Sequence, residues 1–255
     1  MDTLAVRLLD RGYQVGPRLG SGFYVEVYQV TELATGFSRA AKVYLDEQPR
    51  RAAAAREVEA FAALSHPRLP SLAEWFEAGE WMVLVMDLVA GANVRDEVDA
   101  GGPLTVPSVV EMGIDLCEVL AHIAAQGWIY RDLHVKNIHR NTPRGAMLVD
   151  LDGARPPDCP GQPSGRSGYR APDLERSLAV TPACDIYSLA GCLYFAMTGE
   201  DPPDHLGRIP GLPQRLGSSA LAALLNACRL IDSAARPTAE ELATGLRQFA
   251  PGDST

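Results

Sequence analysis

At 255 residues, with 47% hydrophobic and 22% charged residues, the chain is long enough to bury its own core in one large or two small domains. A formal charge of −9 at pH 7, with no basic stripe, argues against nucleic acid or an acidic membrane surface as partner, because phosphate contacts need clustered Lys and Arg. No apolar run reaches the eighteen or so residues of a membrane span, and no basic-then-apolar leader opens the chain, so a cytoplasmic location is expected. The 5 cysteines are odd in number and lack metal-ligand spacing, which predicts reduced thiols that mostly pack in the core.

The first third alternates like paired strands. Tyr13 to Leu19, Val25 to Val30 and Arg39 to Leu45 are separated by Gly-Ser-Gly and Ala-Thr-Gly turns, which predicts an antiparallel meander. Pro49 opens an Ala- and Glu-rich segment to about Leu64 whose composition favours helix. Two further strands are expected over Leu72 to Glu77 and Trp81 to Leu88, joined at Gly79.

Past Gly91 and the Gly101-Gly102-Pro103 cluster the character becomes helical. Val109, Leu116, Leu120 and Ile123 recur at helical spacing, and Gly127 is placed to end that helix. Ala183 to Thr198 predicts a buried helix, and shorter ones fit Ser219 to Leu230 and Thr238 to Phe249. The Pro-, Gly- and Ser-rich stretch from Gly153 to Gly168 reads as a loop.

Chemistry concentrates in two short segments, Tyr130-Arg131-Asp132-Leu133-His134-Val135-Lys136-Asn137 and Leu148-Val149-Asp150-Leu151-Asp152-Gly153. They hold a proton acceptor, a cation and oxygen ligands for a metal, the equipment of phosphoryl transfer. Upstream, Gly20-Ser21-Gly22 sits between strands, where small residues let amides approach phosphate. Lys42 lies inside an apolar strand and needs a partner; Glu57 on the following helix is one, with Glu59 competing.

In these motifs the chain resembles a eukaryotic-type serine/threonine protein kinase domain of bacterial character, over about residues 13 to 249. The resemblance implies an α+β, two-lobed fold: an N-terminal extension (1–12), an antiparallel-sheet lobe with one helix (13–89), a mainly helical lobe (90–249) and a tail (250–255). It implies ATP with Mg²⁺ or Mn²⁺ in the cleft between the lobes and a protein as substrate. The family's strand Lys and helix Glu ion pair maps onto Lys42 and Glu57, which stands nine positions before His66-Pro67, a pair that resembles the usual His-Pro at the end of that helix. Val85-Met86-Asp87-Leu88-Val89 resembles the hinge, with Met86 as gatekeeper, the backbone of Asp87 and Val89 facing adenine, and Val27 and Ala40 covering the base. His139 falls where an apolar residue normally lies beneath adenine.

Gly168-Tyr169-Arg170-Ala171-Pro172-Asp173 resembles the end of the activation segment. Asp185-Ile186-Tyr187-Ser188-Leu189-Ala190 resembles the helix whose Asp braces the catalytic loop. Arg236-Pro237-Thr238 resembles the closing Arg motif, so that Arg236 would pair with Asp173. On this mapping Asp132 positions the acceptor hydroxyl, and Asn137 and Asp150 hold metal.

The departures carry their own expectations. Tyr130 replaces a His that mainly packs. His134 takes the place of the Lys that contacts the transferred phosphate, and Lys136 can supply that charge instead, since neutral His134 would be a poorer cation. Asp150-Leu151-Asp152 replaces Asp-Phe-Gly. If extended, it would set Asp150 and Asp152 on one side about 6.6 Å apart, where Asp152 either joins the metal site or caps the following turn. Ser164 and Ser167 are the hydroxyls of the short activation segment before Tyr169, where Arg131 would bind a phosphoserine, or the loop is simply solvated. Arg166 stands where a substrate-supporting Thr is usual. The rival functions are a small-molecule or peptide-tailoring kinase of the same fold, motivated by His134 and Asp152, and a nucleotide-binding pseudokinase scaffold, motivated by Val25 (in place of the turn's third expected glycine), His134 and Leu151-Asp152.

Overall fold

The structure, a computed structural model, describes residues 4–22, 25–45, 50–159, 166–175, 180–203 and 207–250. The chain forms two compact units, Met1–Val89 and Ala90–Thr255.

The first unit begins with a short helix, α1 (Leu4–Asp10), within the N-terminal extension, where the sequence reading assigned no element. Three strands follow, β1 (Tyr13–Ser21), β2 (Val25–Glu32) and β3 (Ser38–Leu45). Helix α2 (Arg50–Ala63) and strands β4 (Leu72–Ala78) and β5 (Trp81–Asp87) complete it. The sheet is antiparallel in the order β1-β2-β3-β5-β4, so the last strand in sequence is inserted beside β3 and β4 lies at the edge. That insertion explains the apolar run of β5: with strands on both sides and both faces covered, Met82 to Met86 are all buried.

Period-two alternation divides β3 between the two faces. Ala41 and Val43 join Val83 and Val85 of β5 and Leu8 of α1 in one apolar cluster. Lys42 and Tyr44 point to the other face, toward Glu57 of α2.

The second unit opens with α3 (Val94–Gly101), whose first turn is capped by the Asn93 side chain accepting from the Asp96 amide at 2.9 Å. Helix α4 (Val106–Ala125) buries Val109, Leu116, Leu120 and Ile123, and the chain leaves it through Gly127 at φ 76°. A loop then leads into the hairpin β6 (Ile138–Thr142) and β7 (Gly145–Leu148). The short helix α5 (Pro172–Glu175) precedes α6 (Ala183–Thr198), which is buried from Cys184 to Ala196 and ends at Gly199 in the left-handed conformation. Against it pack α7 (Leu212–Leu216) and α8 (Ser219–Cys228), while α9 (Ala239–Arg247) packs chiefly on α4; a capping box between Thr238 and Glu241 starts α9.

This is the α+β architecture expected, a sheet-rich unit and a mainly helical one. Among the described residues no helix is long and apolar enough to cross a membrane. The five cysteines are free thiols; Cys117, Cys184, Cys192 and Cys228 are buried and Cys159 is exposed.

Candidate active site

Each unit brings together one set of the residues singled out by sequence. In the first, Lys42 on β3 and Glu57 on α2 form a buried ion pair, Nζ to Oε1 2.9 Å, with side chains 6% and 0% exposed. The Tyr44 hydroxyl donates to the other Glu57 oxygen, and its ring lies 5.4 Å from Lys42 Nζ. Both carboxylate oxygens thus have donors, without which a buried charge is costly. Glu57, not Glu59, is therefore the partner of Lys42.

Strand register gathers the remaining members of this set. Gly20 pairs with Val27, Val27 with Lys42, and Ala40 with Met86. Ser21 lies opposite Glu26, and Gly22 closes the turn by donating to the Val25 carbonyl at 2.8 Å. Residues 23 and 24 lie outside the described residues. The Asp87 carboxylate accepts from Arg39 at 2.6 Å and from the Ser71 amide at 3.1 Å, and the Asp87 amide donates to the Ser71 carbonyl. This fixes the end of β5, two residues before Val89.

In the second unit, Asp185 near the N-terminus of α6 holds the loop that carries Asp132. Its two oxygens accept from the backbone amides of Tyr130 and Arg131, each at 2.8 Å. Burial pushes its carboxyl up to about 6, and those two amide bonds oppose the shift. The brace holds a strained backbone, since Arg131 has φ 65°. Tyr130 is fully buried and its hydroxyl donates to the Val149 carbonyl, so this replacement ties the two segments together.

Asn137 ends the loop with its side-chain amide donating to the Asp132 carbonyl at 3.1 Å. His134 is 6% exposed and its Nδ1 accepts from the Lys136 amide at 3.2 Å, which leaves the proton on Nε2, 3.9 Å from Asp132 Oδ1. Burial, and then the charge of Arg166, lower its pKa to about 4, so His134 is neutral at pH 7. Lys136 is exposed. His139 contacts the Gly91 carbonyl through Nδ1 at 3.0 Å, and burial lowers its pKa.

The expected extended geometry of Asp150-Leu151-Asp152 is not found. Asp150 has φ 68°, and the Asp152 amide donates to Asp150 Oδ1 at 3.1 Å, closing a turn. Asp and Asn tolerate this left-handed conformation better than most residues, because a short polar side chain can bond the local backbone. The turn presses on the catalytic loop: a Cβ on Gly153 would stand 2.7 Å from Asp132 Cβ and 3.0 Å from the Tyr130 carbonyl oxygen. Only glycine fits there, and the sequence signal was its place directly after the acidic pair.

Asp152 Oδ1 is buried and has no hydrogen-bond partner. An orphaned carboxylate oxygen beside Asp150 suits a hard cation, as does the oxygen-bearing set of Asn137, Asp150 and Asp152. No group of three His, Cys, Asp or Glu among the described residues forms a closed metal cage. Mg²⁺ needs none, because it is typically held by one or two carboxylates together with water and phosphate oxygens.

Arg131 does not stand open for a phosphate. Its guanidinium donates to the carbonyls of Pro156 (2.8 Å), Pro157 (3.3 Å) and Cys159 (3.2 Å). Ser164 lies outside the described residues; Ser167 is exposed. Farther along, Arg236 and Asp173 form the buried pair expected, with Arg236 also donating to the carbonyls of Leu230 at 2.7 Å and Ala183 at 3.0 Å. Sequence reasoning missed Arg229, a wholly buried cation of α8's C-terminal end that resembles no motif.

The protein kinase domain family matches residues 13–245. The chain is 30% identical over 215 residues to serine/threonine-protein kinase PkaA of Streptomyces coelicolor, covering 77% of this chain and 39% of that protein. It is also 30% identical over 215 residues to serine/threonine-protein kinase PknB of Mycobacterium tuberculosis, covering 78% and 34%. Serine/threonine-protein kinase PkaB of Streptomyces coelicolor aligns over 223 residues at 30%, covering 77% and 52%. The aligned part thus spans about a third to a half of these curated relatives. Together with the Lys42–Glu57 pair and the Asp185-braced loop, these matches place the chain in the protein kinase domain family.

Proposed function

We propose that the chain is an active protein kinase that transfers the γ-phosphate of ATP to a Ser or Thr hydroxyl of a protein. The observation that carries this reading is the loop held by Asp185, in which Asn137 donates to the carbonyls of both Asp132 and His134 and so fixes the three relative to one another. When bound, ATP with Mg²⁺ or Mn²⁺ supplies the phosphoryl group and the charge that offsets its oxygens.

The chain's own groups divide the work. Lys42, fixed by Glu57, meets the α- and β-phosphates, and the Gly20-Ser21-Gly22 turn offers backbone amides to phosphate. Asn137, Asp150 and the orphaned oxygen of Asp152 receive the cation. Asp132 orients the acceptor hydroxyl and takes its proton. His134 acts as a neutral Nε2–H donor beside Asp132, and exposed Lys136 provides the cationic charge that His134 lacks. The backbone of Asp87 and Val89 reads the adenine edge, with Val27, Ala40, Met86 and His139 against the base.

Labelled ATP offered with Mg²⁺ or Mn²⁺ to a protein mixture and to a metabolite pool tests the proposal. Label on protein Ser or Thr is expected. Label confined to small molecules would reject the protein acceptor, and absence of turnover on any acceptor would make the chain a scaffold.

A further inference from the structure

Arg229 is 0% exposed, and the catalytic reading makes no use of it. Its hydrogen-bonded partners are the Gly207 carbonyl (Nε, 3.2 Å), the Gly168 carbonyl (Nη1, 3.0 Å) and the Tyr187 hydroxyl (Nη2, 2.9 Å). The guanidinium also lies 4.2 Å from the centre of the Tyr187 ring. Burying a cation against neutral oxygens carries a desolvation cost that an apolar side chain of similar volume would not incur. What the cation adds is a rigid fork tying two separate loops to α6.

One of these loops is the 166–170 turn. Gly168 has φ 80°, and a Cβ there would lie 2.3 Å from the Pro202 carbonyl oxygen, so the turn is pressed against residue 202. The Tyr169 hydroxyl donates to Asp201 at 2.8 Å, and Ser188 Oγ donates to the Tyr169 carbonyl at 2.9 Å. On α6, a Cβ at Gly191 would crowd Arg229 Nη1, Pro202 and Tyr169, each at 3.3 Å, so the missing side chain makes room for the fork. At the start of the turn stands Arg166, exposed, its carbonyl accepting from the Tyr169 and Arg170 amides and its charge felt by His134.

We propose that Arg229 is a positioning residue for the acceptor protein: by holding the Gly168 carbonyl it fixes the turn that carries Arg166. The role rests on the protein-kinase reading above. It predicts that loss of the fork weakens engagement of the acceptor without touching nucleotide or chemistry.

The test compares wild type, Arg229→Met, Arg229→Lys and the control Leu225→Ala, a cavity one turn earlier in the same helix that removes no polar partner of the fork, with casein as acceptor. For Arg229→Met the acceptor KM rises about tenfold, equivalent to about 1.4 kcal/mol, with kcat and nucleotide Kd within about twofold of wild type. Arg229→Lys falls between, since an ammonium cannot reproduce the fork. Hydrogen exchange at the Tyr169 and Arg170 amides quickens in Arg229→Met while α6 is unchanged. A KM shift no larger than that of Leu225→Ala, or unchanged exchange at the turn in an enzyme that phosphorylates casein, would overturn the anchor and leave the kinase reading standing. A wild type that labels no protein at all would instead sink that reading, and the acceptor role with it.

Discussion

Lys42 and Glu57, fifteen residues apart in sequence, meet at 2.9 Å in a place that water scarcely reaches, with Tyr44 completing the carboxylate's partners. Removing one charge strands the other. Lys42→Met should therefore lower unfolding free energy by about 3–5 kcal/mol, the range found when one partner of a buried pair is removed. Urea denaturation measures it; a loss below 1 kcal/mol would mean the pair is effectively solvated.

Asp132→Asn keeps the shape of the loop and removes the carboxylate proposed to take the acceptor's proton. Turnover should drop by about a hundredfold or more with nucleotide affinity nearly unchanged. Steady-state kinetics with fluorescent-nucleotide binding on the same preparation separates the two. Equal loss in both would place Asp132 in nucleotide binding.

His134 makes stability depend on pH. In the folded chain it takes a proton only near pH 4, whereas unfolded it does so near 6.5. The unfolded state thus binds more protons between those values, and stability is lost as pH falls from 6.5 toward 4, by about 3 kcal/mol at most from this group. Asp185, raised to about 6, acts in the opposite sense, because its folded form takes up a proton first. Comparing His134→Gln with wild type cancels the Asp185 contribution. The variant should show the shallower acid loss, and parallel curves would refute the assignment.

Asp152→Asn tests the orphaned oxygen. The Mg²⁺ concentration for half-maximal transfer should rise several-fold while the rate at saturating Mg²⁺ changes little. An unchanged Mg²⁺ dependence would reduce Asp152 to its turn, in which its amide already bonds Asp150.

Sequence gave away the elements whose periodicity is strong and whose ends are punctuated. The span 183–198 was read to the residue, because its apolar run ends at Gly199, which supplies the left-handed cap. The order of the sheet was less accessible: nothing local tells β5 to enter beside β3, a long-range choice made by packing both its faces. Asp150 and Asp152 were recognised from spacing, yet their geometry was misjudged, because an Asx turn overrides the extended preference that the flanking Leu148 and Val149 suggest. Arg229 was invisible for a related reason. A lone Arg in a helix reads as solvated, and only the carbonyls that converge from positions 168 and 207 reveal what it does.

The cysteine pattern has a practical corollary. Four thiols are sealed inside the fold, whereas Cys159 is exposed and its own carbonyl is gripped by Arg131. A maleimide dye used at low stoichiometry would attach at that one position, and its anisotropy would track the tether as nucleotide or acceptor is added. The chain thus carries a native reporter of the loop that follows Gly153, with no engineered handle required.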